Sequence, residues 1–145
     1  MNKIFIENQQ EMANFAIKMA KSVKNHQIIT LEGNLGAGKS FFAKNFISFL
    51  TGINKSEITS PTFNIYNHYQ INQQNIYHFD LYRIKNEGEL DNIGFYDLLK
   101  DGICLIEWPE IAKRYLSQPI TQINFNIISE FQREILYHFP SKKLC

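Results

Sequence analysis

Apolar residues recur at Met12, Phe15, Ala16, Met19, Ala20 and Val23, the spacing of one helix face, and the short run at residues 3–7 before them reads as a strand. Residues 27–32, "QIITLE", form a compact β-branched run that stops at Gly33, which suits a buried parallel strand. After Lys39 the positions Phe42, Phe46, Phe49 and Leu50 share a second helical face, and Gly52 follows as a stop signal. Two aromatic and β-branched runs, "FNIYNHYQI" and "IYHFDLYRI", flank "NQQN" and predict an antiparallel hairpin. The stretch to about residue 102 reads as helical and irregular. "ICLIE" predicts a second buried strand, a short helix is expected after Pro109, and "TQINFNII" with "REILYHF" predicts a closing β pair. Strands alternating with helices, together with antiparallel hairpins, predict an α/β fold: a mixed β-sheet flanked by helices.

Composition narrows the class. At 145 residues, 44% hydrophobic and 14% aromatic, the chain suffices for one substantial core and is short for two, so residues 1–145 are expected to form a single domain. A net charge of +1, from 15 basic and 14 acidic residues, creates no field suited to capturing nucleic acid unaided. A nucleic-acid role would run through partners. The two cysteines, Cys104 and Cys145, form no CxxC or metal-ligand cluster, and no run of about eighteen apolar residues occurs. The expectation is a soluble protein of a reducing cytoplasm, with no membrane contact.

Between the second strand and the second helix, residues 33–40, "GNLGAGKS", satisfy G-x-x-x-x-G-K-[ST]. Accidental matches arise in roughly one of several hundred chains of this length, and the strand-to-helix setting makes them rarer. Glycines let successive N–H groups turn toward one point, and the helix start adds about half a positive charge there. Lys39 is placed to reach the β- and γ-phosphates of a nucleotide, and the Ser40 hydroxyl to ligate Mg²⁺. Leu35, Gly36, Ala37, Gly38 and Phe41 complete this nucleotide-binding stretch.

Mg²⁺ takes oxygen ligands, one or two of them carboxylates beside the substrate phosphates. Glu107, closing "ICLIE", has the form of an acid at the carboxyl end of a neighbouring strand. Asp80, in "IYHFDLYR", is a less typical site because its strand reads as the second arm of a hairpin; it suits either a water-mediated metal contact or orientation of an attacking water. Ser60, Pro61 and Thr62 sit on an expected loop at the edge of the site, where a γ-phosphate could order or release a segment.

Other signals fail on context. "DNIG" at residues 91–94 resembles the D-x-x-G of GTPases but follows polar sequence rather than a buried strand, and "NKSE" at residues 54–57 has Glu where a guanine-reading motif needs Asp. ATP is preferred to GTP. His26, His68, His78 and His138 are scattered and read as surface or strand residues. A small-molecule or nucleoside kinase shares the P-loop, yet such transfer draws several arginines around the developing charge, and this chain has only Arg83, Arg114 and Arg133. A nucleotide-switched module acting on a partner fits the small size and the loop at residues 60–62 better.

The ordered combination "LxGxLGAGKS", "SPTF", "YHFDLYR" and "IxLIEWPE" resembles the bacterial TsaE (YjeE) family over nearly the whole chain. The resemblance implies a P-loop NTPase-like fold and a Mg²⁺-dependent ATPase, weak alone, that works with TsaB and TsaD in forming threonylcarbamoyladenosine beside the anticodon of tRNA. The transferase chemistry would then belong to TsaD, and tRNA would be met through the complex. Carried over residue by residue, Lys39 matches the phosphate-binding lysine and Ser40 the Mg²⁺ hydroxyl. Ser60, Pro61 and Thr62 match the switch-like loop, with Thr62 and Asp80 joining Lys39 as catalytic candidates, and Glu107 matches the metal-associated acid. Arg133 and Asn8 match positions near the nucleotide base. The sequence departs from its relatives in having Asn34 where Asp is frequent, Ser40 where Thr is frequent, and a short tail.

Overall fold

The computed structural model describes residues 1–61 and 63–140 of the chain. Strand β1 (Asn2–Ile6) leads into Asn8, whose extended backbone and side chain cap helix α1 (Gln9–Ser22) by accepting the Glu11 N–H at 3.0 Å. The face read from the sequence is buried: Met12, Phe15, Ala16, Met19 and Ala20 all lie against the sheet or the second helix. Strand β2 (Ile28–Gly33) has its first four residues fully buried, as a strand covered on both faces must.

Helix α2 (Lys39–Thr51) starts directly after the glycine-rich turn and ends at Gly52, whose φ of 77° closes the last turn through its N–H to Ser48 O. Phe42, Ala43, Phe46 and Ile47 form its buried face. Phe49 departs from the sequence expectation. It stays 44% exposed, with the Lys21 ammonium over its ring at 5.7 Å, because it emerges at the outer edge between the two helices.

The hairpin is β3 (Tyr66–Ile71) and β4 (Gln74–Asp80). Its turn is shorter than "NQQN": Asn72 and Gln73 alone make it, both with positive φ, and Gln74 and Asn75 already pair in the ladder. Two central residues at φ > 0 give the primed turn whose twist matches that of the strands. Helices α3 (Glu87–Asn92) and α4 (Phe95–Leu99) follow, then β5 (Ile103–Glu107), a 3₁₀ helix at Pro109–Tyr115, and the antiparallel pair β6 (Ile120–Ile127) and β7 (Arg133–His138).

All seven strands join one sheet in the order β1-β7-β6-β2-β5-β4-β3. The inner four, β6, β2, β5 and β4, run parallel, and the outer pairings are antiparallel, so the sheet is mixed. Helices α1 and α2 cover one face, where Phe42, Phe46 and Phe125 anchor the core; α3, α4 and the 3₁₀ helix cover the other, around Phe79, Phe95 and Ile106. Burial pushes the Cys104 thiol up to about 12, which leaves it a packing residue of that second core. No helix among the described residues is long and apolar enough to cross a membrane.

This layering carries Gly33, Asp80 and Glu107, the last residues of three parallel strands, to one edge of the sheet. Ligands of open α/β sheets gather at such carboxyl ends.

Candidate functional site

The glycine-rich turn leaves β2 at Gly33, with φ values of 80° at Gly36 and 109° at Gly38. Gly38 is the N-cap of α2 and has no side chain to cap it. The N–H groups of Gly38, Lys39, Ser40 and Phe41 are thus the unpaired donors that every helix start presents. They border a cavity of about 700 Å³ that contains Leu35, Gly36, Ala37, Gly38, Lys39, Ser40 and Phe41 in its wall. The whole predicted stretch is brought to one place.

Lys39 is 5% exposed. Its ammonium donates to the Gly33 carbonyl and lies 3.5 Å from the centroid of the Trp108 ring, a cation–π contact. Burial lowers its pKa below 10.5, against the opposing pull of Glu107, Glu110 and Asp80. A phosphate arriving in the cavity would favour the charged form that burial disfavours. Trp108 holds its place in a left-handed conformation, φ 57° and ψ 58°, and packs on Tyr82 with ring centroids 4.9 Å apart.

Ser40 Oγ donates to Glu107 Oε1 at 3.1 Å. The other carboxylate oxygen of Glu107 accepts from His78 Nε2 at 2.6 Å, and both side chains of this pair are buried. Glu107 is therefore fixed by two polar partners at the foot of the cavity. Asp80 stands in register opposite it on the neighbouring parallel strand. Its Oδ1 accepts the Tyr82 N–H at 3.0 Å, and burial nevertheless raises its pKa above 3.8. The sequence expectation about Asp80 was too narrow: β4 is the second arm of a hairpin, and it also pairs with β5, which puts its terminal acid in the same row as Glu107.

Ser40, Glu107 and Asp80 offer only oxygen donors, the set that suits a hard divalent cation. No group of three or more His, Cys, Asp or Glu side chains forms a metal cage among the described residues.

Of the other expected residues, Ser60 reaches the cavity wall. Thr62 lies outside the described residues. Asn8 lines the cavity near Ile6 and Met12 while its Oδ1 caps α1. Arg133 also lines it, with its guanidinium on the carbonyls of Gly36 and Ala37. Asn54, from the rejected guanine-like motif, caps a 3₁₀ turn by accepting the Ser56 N–H and lies away from the cavity.

Sequence reasoning passed over His78 and Trp108. A signal for His78 existed: residues i and i+2 of a strand share a face, so His78 accompanies Asp80 toward α2. Nothing in the order of residues marks Trp108 as the surface on which Lys39 rests, since that contact depends on the left-handed bend after β5.

Known proteins resemble this chain in sequence and in fold. Residues 6–139 match the family model described as threonylcarbamoyl adenosine biosynthesis protein TsaE. Proteins named tRNA threonylcarbamoyladenosine biosynthesis protein TsaE are similar: that of Rickettsia prowazekii is 38% identical over 133 residues, covering 92% of each chain, and that of Bacillus subtilis is 35% identical over 131 residues, covering 90% of this chain and 80% of its own. The crystal structure of Bacillus subtilis YdiB superposes with a TM-score of 0.74 at 30% identity, covering 97% of this chain and 86% of that one.

Proposed function

The chain belongs to the TsaE family of tRNA threonylcarbamoyladenosine biosynthesis proteins, and from that premise we propose that it binds Mg²⁺·ATP at the glycine-rich turn and hydrolyses it as an accessory of a TsaB–TsaD transferase complex. The observation that carries this reading is the convergence of Lys39, Ser40, Glu107 and Asp80 on one cavity. Lys39 and the N–H groups of the α2 start hold the polyphosphate. Ser40 and Glu107 would hold Mg²⁺, with Asp80 beside them; when bound, the ion supplies charge neutralisation on the phosphate oxygens. His78 keeps the Glu107 carboxylate turned toward Ser40.

Asp80 is the group positioned to orient an attacking water, and its ionised form can accept that hydrogen bond. Trp108 and Tyr82 cover the lysine side of the cavity, and Ser60 joins its wall from the loop before the hairpin. Loop-borne walls around acids fixed at strand ends suit slow hydrolysis alone and faster hydrolysis when a partner closes them. The reading against a kinase also gains support: Arg114 is paired with Glu87 at 2.8 Å on the surface, and Arg133 is occupied by backbone carbonyls, so Arg83 is the one arginine left facing the cavity among the described residues.

Depletion of the protein should remove the modified adenosine from tRNA, read by nucleoside mass spectrometry, and phosphate release by the purified protein should rise when TsaB and TsaD are added. Unchanged modification, with phosphate transfer to a nucleoside or small metabolite, would return the kinase reading to first place.

A further inference from the structure

Arg133 opens β7, and its side chain leaves the sheet for the wall of the cavity. Nε donates to the Ala37 carbonyl at 3.0 Å and Nη2 to the Gly36 carbonyl at 3.1 Å. Nη1 donates to the carbonyls of Ser129 at 2.7 Å, Glu130 at 3.2 Å and Gln132 at 2.9 Å. One guanidinium thus fastens the β6–β7 turn to the middle of the glycine-rich turn. The β6–β7 turn is held from behind as well: Gln132 Nε2 donates to Glu7 at 2.7 Å, and the Glu7 N–H donates to Glu11 of α1 at 2.7 Å.

We propose that Arg133 is a positioning residue for polyphosphate, acting through the backbone of the glycine-rich turn and not through the nucleotide base; this rests on the nucleotide-binding reading above. In a trans peptide the C=O and N–H point in opposite directions. Holding the Ala37 carbonyl on Arg133 therefore turns the Gly38 N–H the other way, and that N–H is the first of the donors at the start of α2. Gly36 and Gly38 sit in left-handed conformations on either side of Ala37, and glycine populates many alternatives to them. A clamp from outside the turn selects the one arrangement in which the donors converge. Only a planar fork makes these bonds together; a lysine ammonium is a single point of charge.

The probe is inorganic tripolyphosphate with Mg²⁺, compared with Mg²⁺·ATP by titration calorimetry on the full chain. Arg133→Met should weaken both by the same factor, about tenfold or more, with the melting temperature of the free protein little changed, and Arg133→Lys should fall between. Loss of ATP affinity with wild-type tripolyphosphate affinity would show a base contact and overturn the proposal. Should Arg133→Met fail to fold, unchanged tripolyphosphate affinity in Arg133→Lys overturns it equally. Lys39→Ala separates the two levels: intact tripolyphosphate binding there sinks the phosphate site itself, whereas its loss there beside normal binding in Arg133→Met sinks only the clamp.

Discussion

Lys39→Met removes the ammonium and keeps the length of the side chain. In the free protein that ammonium is held by the Gly33 carbonyl and the face of Trp108, in surroundings where burial already disfavours its charge. Removing it should barely affect the fold. The melting temperature is expected to move by less than about 4 °C, the shift that about 1 kcal/mol produces at this chain length. Polyphosphate binding should respond very differently. Two charge-assisted hydrogen bonds to phosphate oxygens contribute roughly 1.5–3 kcal/mol each, so their loss weakens binding by roughly 10²- to 10⁴-fold. At a ligand concentration of about 100 Kd the wild type gains about 2.7 kcal/mol, or about 10 °C by the same conversion. The variant at that concentration should gain under about 2 °C. Differential scanning fluorimetry with and without Mg²⁺·ATP reads both quantities. Proton linkage adds a sign. The folded-state pKa of Lys39 lies below 10.5, so the unfolded chain binds this proton more tightly and stability rises with pH between the lowered value and 10.5. The wild type should therefore gain on the variant through that alkaline window. A variant that melts far below the wild type, or that keeps its ligand-induced shift, would refute the reasoning.

Glu107→Gln should weaken Mg²⁺-dependent nucleotide binding more than Asp80→Asn does, because Glu107 is the acid fixed against Ser40; Asp80→Asn should chiefly slow hydrolysis, and equal effects in a Mg²⁺ titration would remove this division of labour. Because burial raises the Asp80 pKa, its carboxyl favours the fold below 3.8 and that contribution is lost as pH rises through the raised value; Mg²⁺-dependent turnover runs the opposite way, falling as pH drops through the same value, and Asp80→Asn should flatten that acid limb of the rate profile. Gly33→Ala puts a Cβ 2.6 Å from the Phe125 carbonyl at a φ of 153°, so β2 and β6 must part, and the urea midpoint should fall by an amount worth about 1–3 kcal/mol; an unchanged midpoint would mean the strands tolerate the methyl group.

Local chemistry made the glycine-rich turn readable. A β-branched run stopping at glycine, then a lysine opening an apolar helical face, dictates strand, turn and helix whatever the rest of the chain does, and "ICLIE" is buried on both faces for the same reason. The acids were visible as residues, but their relation was not. That Asp80 and Glu107 lie opposite one another depends on β4 pairing with β5, a choice made by the sheet and not by any short segment. The link from Arg133 to Gly36 and Ala37 spans almost the whole chain, and the bond from His78 to Glu107 joins two strands, so neither leaves a periodic trace. The hairpin was legible, but its turn was shorter than expected because Asn72 and Gln73 both accept positive φ, which let Gln74 and Asn75 extend the ladder.

Asp80 and Glu107 end neighbouring hydrogen-bonded strands, which sets their backbones about 4.8 Å apart by the spacing of the sheet itself. That distance is not a variable the protein can adjust: widening it means unzipping β4 from β5 and opening two buried cores. If a partner speeds the proposed hydrolysis, it must act through the cavity residues outside the strands, where Ser60, Tyr82 and Trp108 ride on loops. The sheet is a fixed anvil, and any closure over the two acids would fall to those loops.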